Sequence, residues 1–205
     1  MIIMSKQKIL IKVILGSTRP GRFGDQPAQW IMNLAKEYPE ATFELVDLQK
    51  VNLPFLDEPV PALFGQYSKE HSKAWSKTIG EADGFIFVTP EYNSGVPASF
   101  KNAVDFLAAE WRYKPVAFVS YGAGGGGILA VNNWRSIFAY LGIFGLSDHV
   151  LFIEYYKHLD KDGKLIPSEE QIAGGHKLLK NIAFWSEKLK PIRQELTTTN
   201  NTYPA

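Results

Sequence analysis

Apolar runs recur along the chain at intervals that suit alternating strands and helices. Ile9–Leu15 is rich in branched residues and reads as a strand. Helical periodicity follows over residues 25–38, where Trp30, Ile31 and Leu34 form an apolar stripe. Asp25 suits the N-cap of that helix, and Pro39 supplies the stop. Residues 42–47 predict a second strand, and residues 48–65 a long proline-bearing excursion. A second helix with a charged, solvated face is expected over 68–81. Residues 84–88 are apolar throughout, as a strand buried on both faces is. In 98–107, Phe100, Ala103, Val104 and Leu107 fall on one helical face. Residues 115–121 and 149–153 complete five strands, with a helix at Ile128–Leu141 between them. Residues 160–163 read as a turn, and 168–189 as a terminal helix weakened by Gly174 and Gly175. From Thr197 onward the chain is polar and expected to be loose.

This alternation predicts an α/β fold with a five-stranded parallel sheet and helices on both faces. Five strands with a glycine-bearing loop after the first fit the flavodoxin-like order better than two Rossmann halves. A single domain over residues 1–190 and a flexible tail over 191–205 are expected. The chain's 205 residues, 45% of them hydrophobic, suffice for one well-buried core.

Composition removes several chemistries. There are no cysteines, which excludes disulfides, thiol catalysis and thiolate metal sites. His71, His149, His158 and His176 form no pair at helical metal spacing, so no metal site is predicted. The net charge of +1, without a basic block, argues against an extended nucleic-acid surface. No apolar run approaches the roughly 20 residues of a membrane span. The first eight residues lack the ordered regions of a signal peptide, so a soluble, cytoplasmic protein is expected.

The candidate chemistry lies in three loops that leave strands and open helices. Residues 16–24 have the composition of a phosphate site: Gly16, Gly21 and Gly24 let the backbone wrap closely, and Ser17 and Thr18 bring hydroxyls. Arg19 and Arg22 bring charge beside a helix N-terminus. No Gly-Lys-Ser/Thr ends the loop, so it is not a Walker A motif. The second loop, Thr89-Pro90-Glu91-Tyr92-Asn93-Ser94-Gly95-Val96-Pro97, is stiffened by two prolines, with Gly95 permitting an unusual backbone. It suits the edge and face of a flat heterocycle, or else a rigid turn with Tyr92 as cover. The third, Gly122-Ala123-Gly124-Gly125-Gly126-Gly127, satisfies the pattern G-x-G-x-x-G with Asp148 downstream, although a run of glycines satisfies almost any glycine pattern. It reads as a wall beside a ring or as a plain connection.

Three motifs resemble the signatures of the NADPH-dependent FMN reductase family, which includes quinone, azo-dye and chromate reductases. They are Gly16-Ser17-Thr18-Arg19-Pro20-Gly21-Arg22, then Pro90-Glu91-Tyr92-Asn93 with Val96-Pro97 and Lys101-Asn102-Ala103-Val104-Asp105, and Ser120-Tyr121-Gly122. The resemblance runs from about Lys8 to Leu141. It implies a flavodoxin-like fold with bound FMN, NADPH or NADH as donor, a small-molecule acceptor, and a homodimer or homotetramer with the flavin near a subunit interface. By matching position, Ser17, Arg19, Arg22 and Gly24 would hold the FMN phosphate. Pro90, Glu91, Tyr92 and Asn93 would line the isoalloxazine, and Ser120, Tyr121, Gly122 and Gly124 would close its other side. Some relatives carry serine and asparagine where this chain has Phe23-Gly24. The implied mechanism passes electrons in two steps from NAD(P)H through FMN to the acceptor, and it needs no catalytic side chain.

Two other readings stay open on the residues: a non-enzymatic FMN carrier or redox sensor, and a Rossmann-type dehydrogenase using the glycine run. Trp30, Trp75, Trp134 and Trp185 are expected in the core or an interface. Trp111 is a candidate roof for a neighbouring subunit's flavin.

Overall fold

The computed structural model describes residues 8–199. Its sheet contains β1 (Ile9–Leu15), β2 (Ala41–Asp47), β3 (Gly84–Pro90), β4 (Pro115–Gly122) and β5 (Phe144–Ile153). All neighbouring strands run parallel, in the spatial order β2-β1-β3-β4-β5. That is the flavodoxin-like order. The helices are α1 (Asp25–Leu34), α2 (Leu48–Val51), α3 (Glu70–Gly80), α4 (Ala98–Asp105), α5 (Ile128–Leu141) and α6 (Glu169–Thr199).

Strand alternation divides the interior into two cores. Ile11, Val13 and Leu15 of β1, Ile86 and Val88 of β3, and Ala117 and Val119 of β4 meet Ile31 of α1 and Leu178 and Ile182 of α6. The opposite face carries Phe85, Phe87, Val116 and Phe118. These meet Trp75 and Ile79 of α3, Phe100 of α4, and Trp134 and Phe138 of α5. Branched and small residues thus predominate in one layer, and aromatic rings are concentrated in the other. β3 is buried along its whole length, as its continuous apolar run predicts.

Four local expectations change. Gly24, not Asp25, takes the N-cap of α1, because the Asp25 carboxylate is turned toward Arg22. β5 starts at Phe144, five residues before the predicted 149; its early part lies at the sheet edge with exposed side chains and shows no buried pattern. α6 runs unbroken through Gly174 and Gly175. A Cβ on Gly175 would come within 2.9 Å of Leu34, so the glycine lets α6 pack closely on α1. The same helix runs through Pro191, so residues 191–199, expected to begin the tail, are helical. Lys190 and Arg193 on either side of the proline are anchored by Asp83 at 2.9 and 2.6 Å. The N-terminal residues read against a signal peptide, apart from Lys8, and the tail beyond residue 199 lie outside the described residues.

Trp111 is no flavin roof. It has no solvent exposure, sits among Trp75, Phe85 and Phe87, and donates Nε1–H to the Val104 carbonyl at 3.1 Å. Trp75 and Trp134 are likewise buried, whereas Trp185 is 44% exposed on α6. Among the described residues, no helix is long and apolar enough to cross a membrane.

Candidate cofactor site

After β1 the chain moves to β2 on one side and then returns to β3 on the other, so a crevice opens between the carboxyl ends of β1 and β3. The three candidate loops leave β1, β3 and β4 at this edge of the sheet. Gly16 N–H donates to the Val88 carbonyl at 3.0 Å, closing the base of the crevice. Ser17 and Tyr92 bridge its mouth through a 2.8 Å hydrogen bond between their hydroxyls. Ser17 is fully buried beneath this bridge, while Tyr92 remains 38% exposed.

The first loop is shaped by contacts that only glycine allows. A Cβ on Gly16 would lie 1.9 Å from the Phe100 ring, and one on Gly24 would lie 2.5 Å from the Tyr121 hydroxyl. Ser99 Oγ–H donates to the Gly16 carbonyl at 3.1 Å, fastening α4 to the loop. Arg19 is exposed at the rim. Arg22 turns inward instead: it donates to both oxygens of Asp47 at 2.7 and 2.8 Å, to Asp25, and to the Ser17 carbonyl at 2.6 Å. Hydrogen bonds to Asp47, then Asp25, raise the pKa of Arg22. Burial acts against ionisation of Asp47, yet hydrogen bonds from Arg22 and the Gln49 amide hold that carboxyl below its usual range. The two arginines therefore occupy different environments, one available at the rim and one braced inside the loop.

In the second loop the left-handed positions are Asn93 (φ 49°) and Ser94 (φ 62°), not Gly95. They form a tight turn closed by reciprocal bonds between Tyr92 and Gly95 at 3.1 and 3.0 Å. Two consecutive positive φ values are the signature of a type I′ turn. Pro90 is the buried last residue of β3, and Asn93 is exposed at the tip of the turn. The Glu91 side chain crosses to the start of α5, just after the third loop, where Oε2 accepts the Leu129 amide hydrogen at 2.9 Å.

The third loop folds back on itself. Gly126 and Gly127 have φ of 62° and 91°, and a Cβ on Gly122 would lie 3.0 Å from Gly127 N. Gly124 is exposed, with open space where a side chain would be. Ser120 is buried below the loop. Tyr121 does not face the crevice as a wall; only 5% exposed, its ring packs edge-on against Phe23 in the core below. Its hydroxyl is buried without a hydrogen-bond partner, since Ser17, which lies near it, is paired with Tyr92. Burial, then the proximity of Tyr92, raises its pKa.

The geometry thus joins the first and second loops through Ser17–Tyr92, and the second loop to the start of α5 through Glu91–Leu129. Sequence reading missed the supporting residues Asp47, Ser99, Asn133 and His149. Asp47 had a signal: it ends β2, the strand beside β1, where a carboxylate faces the arginine loop. Asp148, the acid required by the dehydrogenase reading, lies midway along β5. It accepts from Asn181 of α6 at 2.9 Å instead of standing at a strand end.

A model of the NADPH-dependent FMN reductase family matches residues 9–158, which contain all three loops. The chain belongs to this family. It is 46% identical over 119 residues to an NAD(P)H-dependent FMN reductase of Schizosaccharomyces pombe, covering 57% of this chain and 60% of that protein. The match therefore spans less than two thirds of that relative's length. The chain is also 29% identical over 166 residues to a 2-hydroxy-1,4-benzoquinone reductase from a Burkholderia species, covering 78% of this chain and 86% of that one. The flavoenzyme NAD(P)H:acceptor oxidoreductase of Paracoccus denitrificans superposes with a TM-score of 0.66 at 22% identity, covering 88% of this chain and 98% of that one. At that identity the likeness establishes the fold. The family match ends at residue 158, so nearly all of the chain from the short turn after β5 through α6 lies beyond it.

Proposed function

We propose that this chain is an FMN-dependent NAD(P)H oxidoreductase that passes electrons in two steps to a small acceptor of the quinone class. The carrying observation is the crevice between β1 and β3, bordered by a glycine cradle and spanned by Ser17 and Tyr92. The residues present fit FMN. The cradle at Gly16 and Gly24 admits no side chain, and Arg19 supplies positive charge at the rim beside the partially positive N-terminus of α1. FMN, when bound, would supply the hydride-accepting and electron-donating chemistry between NAD(P)H and the acceptor.

The chain's own part is to bind and orient. Ser17, Arg19 and the backbone at Gly24 hold the phosphate end, with Arg22 bracing the loop from inside. Pro90, Glu91, Tyr92 and Asn93 offer a stiff edge whose shape is set by the turn at Asn93 and Ser94. Ser120, Tyr121, Gly122 and Gly124 close the remaining side, Ser120 and Tyr121 from below. No side chain is assigned a proton-transfer role. The reading includes a cytoplasmic homodimer or homotetramer, and a single domain that extends past the expected boundary at residue 190 to take in the rest of α6.

The test is absorbance of the purified chain after addition of FMN and desalting, followed by anaerobic NADPH. Retained flavin bands that bleach within seconds are the expected result. Retained flavin that NADPH leaves oxidised would overturn the enzymatic reading in favour of an electron carrier. Absence of retained flavin, with none bound in equilibrium titration, would overturn FMN use altogether.

A further inference from the structure

Ser120 lies near the end of β4 beneath the glycine loop, with no exposed surface. Its hydroxyl is within hydrogen-bonding reach of the Gly126 carbonyl and, at 2.6 Å, of His149 Nε2. A serine hydroxyl has one proton, and a carbonyl only accepts. That proton therefore goes to Gly126, and His149 must carry hydrogen on Nε2 and donate it to Ser120 Oγ. Burial, then the charge of Arg135, lowers the His149 pKa to about 4, so the ring is neutral at ordinary pH. The result is a directed chain across two strands: His149 Nε2–H to Ser120 Oγ–H to the Gly126 carbonyl.

A loop of five glycines and one alanine has wide backbone freedom and no side chains to hold it. Its observed fold-back places the Gly127 backbone against Ser120, where an added Cβ would come within 2.8 Å of the serine Cβ. Loop side chains supply no tether, so one must come from the strands beneath. Glu154 N–H, donating to the Ala123 carbonyl at 2.7 Å, holds the outer limb of the loop. Ser120 holds the inner limb, and His149 sets the direction of its hydroxyl.

We infer that His149, acting through Ser120, is a positioning residue that fixes the glycine loop as the wall presented to FMN. This rests on the reading above that the loop borders the flavin. His149 also lines a cavity of about 410 Å³ behind the loop, together with Ile153, His158 and Gln171. That space gives room for leucine or glutamine in its place.

The experiment compares the parent with Ser120→Ala, His149→Leu and His149→Gln. It measures amide hydrogen exchange of the peptide spanning 122–128 in the flavin-free chain, and FMN affinity by fluorescence titration. Loss of one buried hydrogen bond should speed exchange and weaken FMN by about fivefold in Ser120→Ala and His149→Leu. His149→Gln should restore both to within about twofold of the parent, because its amide can donate to Ser120 Oγ. If His149→Leu fails to fold, Ser120→Ala carries the same expectation. Unchanged loop exchange in the folded variants would overturn the tether. Faster exchange with unchanged FMN affinity would overturn its connection to the cofactor. A parent that binds no FMN would instead overturn the proposed function, with exchange in the flavin-free chain still deciding the tether.

Discussion

Glu91 Oε2 accepts the amide hydrogen of Leu129 at 2.9 Å, so the loop after β3 caps the helix that follows the glycine loop. Gly127, at the N-cap position of α5, has no side chain to do this. The carboxylate supplies the missing acceptor and sits at the partially positive end of the helix. Asn133 Nδ2–H adds a second stitch by donating to the Ser94 carbonyl at 3.0 Å. The second loop is thereby set against α5, with Glu91 and Leu129 38 positions apart in the chain.

Glu91→Ala should cost about 1 kcal/mol, the usual worth of a lost cap. For a chain of this size that corresponds to a fall of about 2–4 °C in the melting midpoint. Glu91→Gln keeps a neutral acceptor and should lose less. Thermal melts of both variants check this; equal midpoints for Glu91→Ala and the parent would count against the cap.

The two arginines of the first loop should separate into different phenotypes. Arg19→Ala should weaken FMN about tenfold while leaving stability unchanged, and should flatten the salt dependence of binding. Arg22→Ala leaves Asp47 buried, its side chain only 9% exposed, without its partner. It should cost roughly 3 kcal/mol of stability. Urea unfolding and FMN titration in increasing salt distinguish the two, and loss of FMN without loss of stability in Arg22→Ala would reverse their assignments.

Asp83 is 3% exposed and ties three segments together. It accepts the Leu10 amide hydrogen at 3.1 Å and pairs with Lys190 and Arg193 at 2.9 and 2.6 Å. Asp83→Ala should cost about 3–5 kcal/mol. Hydrogen exchange should rise in the last turns of α6 around Pro191 before it rises elsewhere. Mass-resolved exchange over 186–196 is the measurement, and protection there equal to the parent's would refute the clasp.

Lys114 gives a pH dependence. The residue is 3% exposed, and its Nζ donates to the carbonyls of Ile79 and Gly80 at 2.7 and 3.0 Å. Burial, then the charge of Arg193, pushes its pKa down to about 7. Between pH 7 and the usual lysine range, the unfolded chain holds a proton that the native chain has released. Stability from this group should therefore rise with pH, by roughly 2–3 kcal/mol from pH 7 to pH 9. Below pH 7 it should be flat. Urea unfolding across pH 6–9 tests the slope, and Lys114→Met should abolish it.

Much of this was legible from residues alone. The continuous apolar run of β3, the helical stripes of α1 and α4, and the placement of glycine-bearing loops after β1 and β4 carry their own signals in spacing and residue type. Local pattern misled where a long-range partner took over. Asp25 is a good cap by composition but turns toward Arg22, and Gly174 and Gly175 look like helix breakers until the first is packed against Val150 of β5 and the second against α1. Pro191 looks like a stop until Asp83 anchors both sides of it.

The sequence by itself determined the strand–helix alternation and the absence of thiol chemistry, because each depends on residue type and local spacing, and its three loop motifs carried the resemblance to the FMN reductase family. Only the tertiary structure decided that Arg22 faces inward, that Tyr92 meets Ser17, that Glu91 caps α5, and that His149 stands behind Ser120. Those pairings join residues 25, 75, 38 and 29 positions apart. Hydrogen bonding acts over about 3 Å of space irrespective of chain separation, so such contacts leave no trace in local pattern until the sheet order brings their strand ends together.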